Sequence, residues 1–246
     1  MTIKVSNIEA VTNALEVALE KYPNAVLYGE DVGFEGGVFR ATKGLQAKFG
    51  AARVFDSQIC EATMVGSAIG MAMGGLRPIV EIQFEGFSYP ALQQLICHAS
   101  RWRNRTRGRF YCPLVVRMPM GGGIRALEHH SEAIEAIWAH VPGLQVVIPS
   151  TPYDTKGLLL AAIASNDPVI FAEPAKTYRA FKQEVPAEFY TVEIGKARQC
   201  REGNDLTIVT YGAQVPLCEK VVDANNQKKQ KVTALIRKVN NLNQQE

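Results

Sequence analysis

Short apolar runs alternate with segments of helical spacing along most of the chain, and this alternation restricts the fold more than any other feature of the sequence. Runs such as AVLY and VVI predict buried strands, because they are short, apolar and rich in β-branched residues. Strands separated by single helices are typical of a parallel sheet covered by helices on both faces. The sequence therefore predicts an α/β fold with strands at 25–28, 53–56, 78–82, 113–117, 145–149 and 169–171.

Helical spacing fills the intervals between these strands. Ser6 and Glu9 have the S-x-x-E spacing of a capping box, which places the start of the first helix there. The predicted helices cover residues 10–21, 42–49, 62–76, 91–103, 129–140 and 153–164.

The chain of 246 residues is long enough for one large domain and part of another. The alternating pattern ends near residue 177, and we interpret 178–205 as a connector. An apolar run at 206–212 starts a second domain, but from about residue 225 the sequence is rich in Asn, Gln and Lys. We therefore expect one domain over 1–177 and an incomplete one over 206–246. Its aberrant tail, of the kind a frameshift or an early stop leaves, has few apolar residues and should be mobile.

The overall composition excludes several classes of protein. Hydrophobic residues make up 47% and charged residues 21%, as in ordinary soluble enzymes, and a net charge of +3 gives no reason to expect a nucleic-acid partner. Arginines alternate in RWRNRTRGRF, but so short a cluster favours a solvated or partner-facing turn over a nucleic-acid site. No signal-peptide pattern or membrane-spanning run is found, so we expect a cytoplasmic protein without a membrane partner.

Five cysteines are scattered through the sequence without any CxxC pair. Their odd number and wide spacing match neither a zinc site nor a disulfide framework, so we expect buried, reduced thiols. Cys60 is the one thiol whose position, next to an acidic residue, indicates possible reactivity.

The stretch QICEATMVG places a single carboxylate, Glu61, at the head of an uncharged helical run. Small residues recur every four positions in this run, at 62, 66, 70 and 74, and would let another helix approach closely. Glu61 would then lie at the entrance to a tightly packed apolar environment. Burial there would raise the pKa of its carboxyl and let the carboxyl share a proton with a ring nitrogen. The alternative is that Glu61 is a first-turn glutamate favoured by the helix dipole.

Two further stretches contain candidate functional residues. Glu30 and Asp31 follow the strand at 25–28 and so lie at the edge where open α/β sheets bind ligands, although a solvated turn is an equal alternative. His129 and His130 are adjacent, and on a helix adjacent side chains point about 100° apart, which disfavours a shared metal ion. One histidine placed for proton transfer is the better interpretation.

Several long motifs resemble one family. They are LYGEDVGFEGGVFRATKGLQAKFG, RVFDSQICEATMVGSAIGMAMGGLRPIVEIQF, MGGGI and GLQVVIPSTPYDTKGLL. Together they resemble the β subunits of the thiamine-diphosphate-dependent decarboxylating component of 2-oxo acid dehydrogenases, most closely those of the pyruvate type. The resemblance extends from about residue 6 to 222 and implies a transketolase-like pyrimidine-binding domain over 1–177.

The resemblance also implies roles for individual residues. Glu61 matches the glutamate that hydrogen-bonds the pyrimidine N1′ of thiamine, and Glu30 matches an acidic residue that lines the same pocket. Phe87 matches the aromatic residue that stacks on the pyrimidine. His130 matches the histidine that assists acyl transfer to a lipoyl group.

A potassium site occurs in some members of the family, bound mostly through backbone carbonyls. Ser165 stands where an aspartate is usual in those members. The matching positions are Leu114, Ala162, Ile163, Ser165 and Asp167.

The family further implies two protein partners. An α subunit would complete an α2β2 heterotetramer and hold the diphosphate and magnesium, and a lipoyl-bearing acyltransferase would accept the acyl group. The expected reaction is oxidative decarboxylation of pyruvate. The alternatives are a branched-chain 2-oxo acid as substrate, or a non-catalytic remnant that only binds an α subunit. No GDG…N stretch occurs in the sequence, which argues against a transketolase-like enzyme that acts alone.

Overall fold

The computed structural model describes residues 1–204, 206–226 and 233–236. In chain order the strands are β1 (Thr2–Val5), β2 (Ala25–Gly29), β3 (Val54–Asp56), β4 (Arg77–Glu81), β5 (Val115–Met120), β6 (Gln145–Val147), β7 (Val169–Pro174), β8 (Gln183–Pro186), β9 (Arg198–Gln199), β10 (Thr207–Thr210) and β11 (Thr233–Ile236). The α-helices are α1 (Asn7–Lys21), α2 (Leu45–Phe49), α3 (Glu61–Met73), α4 (Trp102–Arg105), α5 (Glu135–Ala139), α6 (Pro152–Ala164) and α7 (Gln214–Asn226).

A six-stranded sheet in the order β3-β2-β4-β5-β7-β6 forms the centre of the fold, and each pair of neighbours is parallel. Its central strands are buried along their whole length, which is why they are mainly apolar, with the buried charges Arg117 on β5 and Glu173 on β7 as exceptions. One hydrophobic layer packs α3 and Trp138 against one face, and a second packs α1 and α6 against the other. The predicted α/β fold with helices on both faces is confirmed.

The first helix starts as its sequence predicts. The backbone N–H and hydroxyl of Ser6 both donate to the carboxylate of Glu9, at 2.7 and 2.8 Å, and the capping box is complete. The hydrogen bond from the Ser6 backbone N–H, followed by one from Lys182 and then that from the Ser6 hydroxyl, lowers the pKa of Glu9 to about 2.

Two predicted helices are shorter than their spacing indicated. The stretch 91–103 divides into a π turn, a 3₁₀ turn and the start of α4, and the hydroxyl of Ser100 donates to the Ile96 carbonyl, a bond that bends helices. The stretch 129–140 contains only a 3₁₀ turn that ends at His130 and the five residues of α5.

The glycine stripe of α3 packs only in part against another helical segment among the described residues, because a Cβ at Gly66 would lie 3.5 Å from the side chain of Gln94 in the π turn. Met64, Val65 and Ala68 form the buried face of α3, whereas Gly70 and Gly74 are exposed. No neighbouring heavy atom lies within 4 Å of a Cβ placed at Gly70. The helix ends before the predicted residue 76 because Gly75 adopts a left-handed φ of +91°.

A buried ion network joins three neighbouring strands. Arg117 on β5 donates to Glu81 on β4 at 2.6 Å and to both carboxylate oxygens of Glu173 on β7 at 2.7 and 3.0 Å. Tyr178 also donates to Glu173, at 2.6 Å. Burial opposes the charge of Arg117, but Glu173 and Glu81 raise the pKa of its guanidinium, so it stays protonated. The buried charges of this network therefore hold β4, β5 and β7 together.

The five cysteines are free thiols, as predicted, but their burial was predicted incorrectly. Cys112 is buried, whereas Cys60 and Cys97 are exposed. Cys60 lies in the turn before α3, at the open edge of the sheet, where no layer covers it.

Two small sheets accompany the central one: β1 at the start of the chain pairs with β8, and the later strands form a sheet in the order β10-β11-β9. The domain boundaries at 177 and 205 remain predictions. The predicted tail after 225 lies largely outside the described residues, which include only the end of α7 and β11 there. Within the part of the chain that the structure describes, no helix is both long and apolar enough to cross a membrane.

Candidate functional site

The carboxyl ends of β2, β3, β4 and β5 bring most of the candidate residues to one edge of the sheet. Glu30 follows β2 directly, and Glu61 begins α3 after β3. Phe87 lies in a 3₁₀ turn after β4, and His130 lies in the loop after β5. Because parallel strands place their carboxyl ends at a common edge, residues distant in sequence share one ligand-binding edge.

Glu30 is a buried carboxyl without a complete set of partners. Its side chain is 7% exposed, and no donor among the described residues reaches its Oε1. Burial, followed by the nearby charges of Glu61 and Asp31, raises its pKa. A buried carboxyl oxygen without a donor leaves room for a hydrogen bond from a ligand.

Glu61 is half-buried and is the first residue of α3. Its negative charge is one of the causes that raise the pKa of Glu30 at the same edge of the sheet. The unpaired N–H groups of the first helical turn favour a negative charge at this position. The position is thus compatible both with a ligand contact and with the helix-dipole role.

His130 is enclosed by aromatic rings. Its ring centroid lies 4.6 Å from that of Phe84 and 5.1 Å from that of Phe87, with edge-to-face geometry in both pairs. Its Nδ1 is buried and has no hydrogen-bond partner. A Cβ at Gly86 would collide with the His129 carbonyl oxygen, so the loop after β4 approaches this histidine loop closely.

Glu85 is a second buried carboxyl at this edge, and the sequence did not predict it. Its Oε2 accepts a hydrogen bond from the backbone N–H of Ile134 at 3.2 Å, whereas its Oε1 has no partner. Burial is the main reason that its pKa rises to about 8, opposed by the Ile134 hydrogen bond and reinforced by Glu135 and Glu132. Glu85 thus ties the loop after β4 to the start of α5. The only sequence signal was an acidic residue between two aromatics in QFEGF.

The Glu85→Gln variant should make the protein less sensitive to alkaline pH. The folded state keeps the Glu85 proton up to about pH 8, whereas an unfolded chain loses it near 4.5, so this contribution to stability is complete below 4.5 and falls as the pH rises towards 8. We expect the melting temperature of the variant relative to wild type to rise by about 4–8 °C between pH 5 and pH 8, which corresponds to about 2 kcal/mol.

Glutamine keeps the acceptor for the Ile134 N–H, so the two proteins should differ little at pH 5. The matched control is Glu128→Gln, which removes an exposed carboxyl of the neighbouring loop. Thermal unfolding curves of the three proteins across this pH range test the prediction, and parallel curves for wild type and Glu85→Gln would contradict it.

The predicted potassium ligands lie around the C-terminal end of α6, but their oxygens already have donors. Two of these oxygens accept from a guanidinium, whose positive charge would lie beside any bound cation. The pairs are Leu114 O with Val169 N at 2.9 Å, Ala162 O with Ser165 N at 3.1 Å, Ile163 O and Ser165 O with Arg77 at 3.0 and 2.9 Å, and Asp167 O with Ser165 Oγ at 3.1 Å. This set of oxygens does not fit a potassium ion.

The described residues also contain no cluster of three or more His, Cys, Asp or Glu that could hold a metal.

Cys60 lies directly before Glu61 and is exposed. Its sulfur is 3.1 Å from the hydroxyl of Thr63, and this hydrogen bond lowers the pKa of the thiol. The neighbouring charge of Glu61 has the opposite effect on this pKa, so the reactivity that the sequence indicated for Cys60 stays a prediction.

Comparisons with known proteins agree with this fold. Residues 3–180 match the family described as transketolase, pyrimidine binding domain. The chain is 64% identical over 211 residues to the pyruvate dehydrogenase E1 component subunit beta of Mycoplasma pneumoniae, and covers 64% of that protein. It is 49% identical over 220 residues to the protein of the same name from Bacillus subtilis, of which it covers 68%.

Two solved structures share the fold. A transketolase from Leishmania mexicana superposes with a TM-score of 0.69 at 17% identity, over 96% of this chain and 34% of that one. A split-gene transketolase, described as an inactive beta4 tetramer, gives a TM-score of 0.66 at 21% identity, over 94% of this chain and 71% of that one.

The match to the pyrimidine-binding domain covers the central sheet and every residue of the candidate site. The Mycoplasma pneumoniae and Bacillus subtilis relatives bear the same name, and the chain spans about two thirds of the length of each. The chain therefore belongs to the transketolase pyrimidine-binding domain family and, within it, groups with the β subunits of the pyruvate dehydrogenase E1 component.

Proposed function

We propose that this chain acts with an α subunit in the thiamine-diphosphate-dependent decarboxylation of pyruvate and the transfer of the acyl group to a lipoyl group. The observation that carries the proposal is the pair of neighbouring carboxyls at one sheet edge, Glu61 at a helix start and Glu30 with an unpaired buried oxygen. The names of the relatives support pyruvate over a branched-chain 2-oxo acid.

The residues at this edge fit the pyrimidine part of the cofactor. Glu61 would hold or move a proton at the pyrimidine N1′, and Glu30 would accept a hydrogen bond through its free Oε1. The half-buried ring of Phe87 would pack on the pyrimidine face. Thiamine diphosphate, when bound, supplies the electron sink that decarboxylation requires.

His130 would act in the second half of the reaction. Its Nδ1 is enclosed, whereas the residue as a whole is half-exposed, so a proton could pass between its ring and an incoming acyl acceptor. The aromatic rings of Phe84 and Phe87 hold the imidazole in place and exclude water beside it.

An α subunit would supply the parts that this chain lacks in sequence. The chain has no GDG…N stretch for the diphosphate and its magnesium ion, so an α subunit in an α2β2 assembly would hold these groups. The lipoyl-bearing acyltransferase would be the second partner. The short arginine cluster in RWRNRTRGRF gives no support for a nucleic-acid partner.

The test is reconstitution of the chain with the α subunit of a pyruvate dehydrogenase E1 component. Reduction of an artificial electron acceptor should depend on thiamine diphosphate and pyruvate, and should be slower with 3-methyl-2-oxobutanoate. Each subunit alone serves as a control. Co-purification without turnover would favour a chain that only binds the α subunit, and a preference for the branched substrate would favour the branched-chain reading.

A further inference from the structure

The loop 163–167 at the end of α6 needs a positive charge from elsewhere. The last carbonyls of a helix have no donors within the helix, and the helix dipole adds partial negative charge at this end. The last turn of α6 contains no basic residue. A cation that stabilises this end must therefore come from another element or from solution.

Arg77, the first residue of β4, supplies such a charge. Its Nη1 donates to the carbonyls of Ile163 and Ser165 at 3.0 and 2.9 Å, and its Nη2 donates to the side-chain oxygen of Asn166 at 3.1 Å. A planar guanidinium suits this arrangement, because its donors form a fixed fork that reaches several oxygens at once.

The guanidinium is itself held in place. The backbone N–H of Arg77 donates to the Asn24 carbonyl at 2.9 Å, and its guanidinium carbon lies 5.3 Å from the ring centroid of Tyr22. The half-buried Arg77 is therefore held by a backbone hydrogen bond and by contact of its guanidinium with an aromatic ring. It is part of the packed structure rather than a freely moving surface arginine.

The acidic group of the same loop is also neutralised within the chain. Both carboxylate oxygens of Asp167 accept from Arg103, at 2.6 and 2.8 Å. No negative charge in the loop is left to attract a metal ion. We propose that the guanidinium of Arg77 is the resident cation of this loop, at the place where the sequence predicts potassium, and that the protein is stable without potassium.

The first test compares thermal unfolding of the full-length chain in potassium, sodium and choline chlorides at equal ionic strength. We expect the melting temperature of the wild type to differ by less than about 1 °C among the three salts, because a folded-state ligand would raise it in one salt only. A saturable increase that only potassium produces would overturn the proposal. This arm needs no variant and so does not depend on the folding of one.

The second test uses Arg77→Gln, which removes the positive charge and the hydrogen bonds that the guanidinium donates to the carbonyls of Ile163 and Ser165. In choline chloride its melting temperature should fall by about 3–8 °C, as expected for lost hydrogen bonds from a charged donor. Potassium should then recover about 2–4 °C, because the vacated carbonyls become available to an ion.

Arg53→Gln is the matched control. Arg53 is also half-buried and also donates to carbonyls at a helix end, those of Leu19 and Tyr22 at 2.9 and 2.8 Å. It should lose stability in choline chloride but gain nothing from potassium, because none of the carbonyls that it vacates belongs to the predicted potassium ligands. Unchanged stability of Arg77→Gln, or a loss that potassium does not reduce, would overturn the assignment of this place to a cation.

Discussion

Replacing Glu61 with glutamine is expected to slow decarboxylation at least about 10²-fold, the lower end of typical general acid–base contributions. Glutamine keeps the shape of the side chain but cannot lose or accept a proton at the position next to Glu30. The folded structure should be unaffected, because an amide is nearly isosteric with a carboxyl and is cheaper to bury. Turnover of the complex with the α subunit, and the exchange rate of the C2 proton of bound thiamine diphosphate, measure the effect.

The helix-dipole interpretation of Glu61 makes the opposite prediction. It requires a loss of stability below about 1 kcal/mol and no change in the exchange rate. Glu128→Gln, which alters an exposed glutamate of the loop that holds His130, is the control and should leave both readouts unchanged. Normal proton exchange in Glu61→Gln would remove the residue from the proposed mechanism.

The Arg117→Met variant is expected to lower the free energy of unfolding by about 3–5 kcal/mol. The change leaves the carboxylates of Glu81 and Glu173 buried without their shared counter-charge, whereas methionine fills most of the space. Burial already raises the pKa of Glu81 against the effect of Arg117, so the loss of the guanidinium removes the positive charge that favours the ionised form of Glu81. Urea unfolding at neutral pH measures the change.

A combined variant tests whether uncompensated charge is the cause. Adding Glu81→Gln and Glu173→Gln to Arg117→Met should recover a large part of the lost stability, since replacing a whole buried ion network is often nearly neutral. Lys48→Met is the control, because Lys48 also joins two glutamates, Glu16 and Glu20, but on the surface. A loss for Lys48→Met equal to that for Arg117→Met would show that burial is not the reason.

The sequence predicted the central sheet well because its strands are buried on both faces. A strand covered by helices on both sides has few polar positions, so the apolar runs that open β2 and β7 are visible without any alignment. The edge that holds Glu30 and Glu61 followed from the same pattern, since residues after parallel strands share one edge. Helix ends were less accurate, because Gly75 and Ser100 act through backbone geometry and local hydrogen bonds.

The features that the sequence did not predict depend on contacts between distant residues. Glu85 is buried only because α5 and the loop of His130 close over it, and the partners of Arg117 are 36 and 56 positions away. Arg77 reaches carbonyls 86 and 88 positions later in the chain. No local pattern distinguishes these residues from surface charges, so only the folded structure identifies them.

The close approach of the two loops at Gly86 has a consequence for the dynamics of the site. The loop after β4 and the loop that holds His130 contact each other at Gly86, through the ring of Phe84 and through the Glu85 carboxylate. The two loops approach so closely at position 86 that a side chain there would separate them. Neither loop can therefore move far without displacing the other. Fluctuations that carry the imidazole towards solvent must therefore also displace the aromatic wall beside the pyrimidine site, so both loops should open and close on a single timescale.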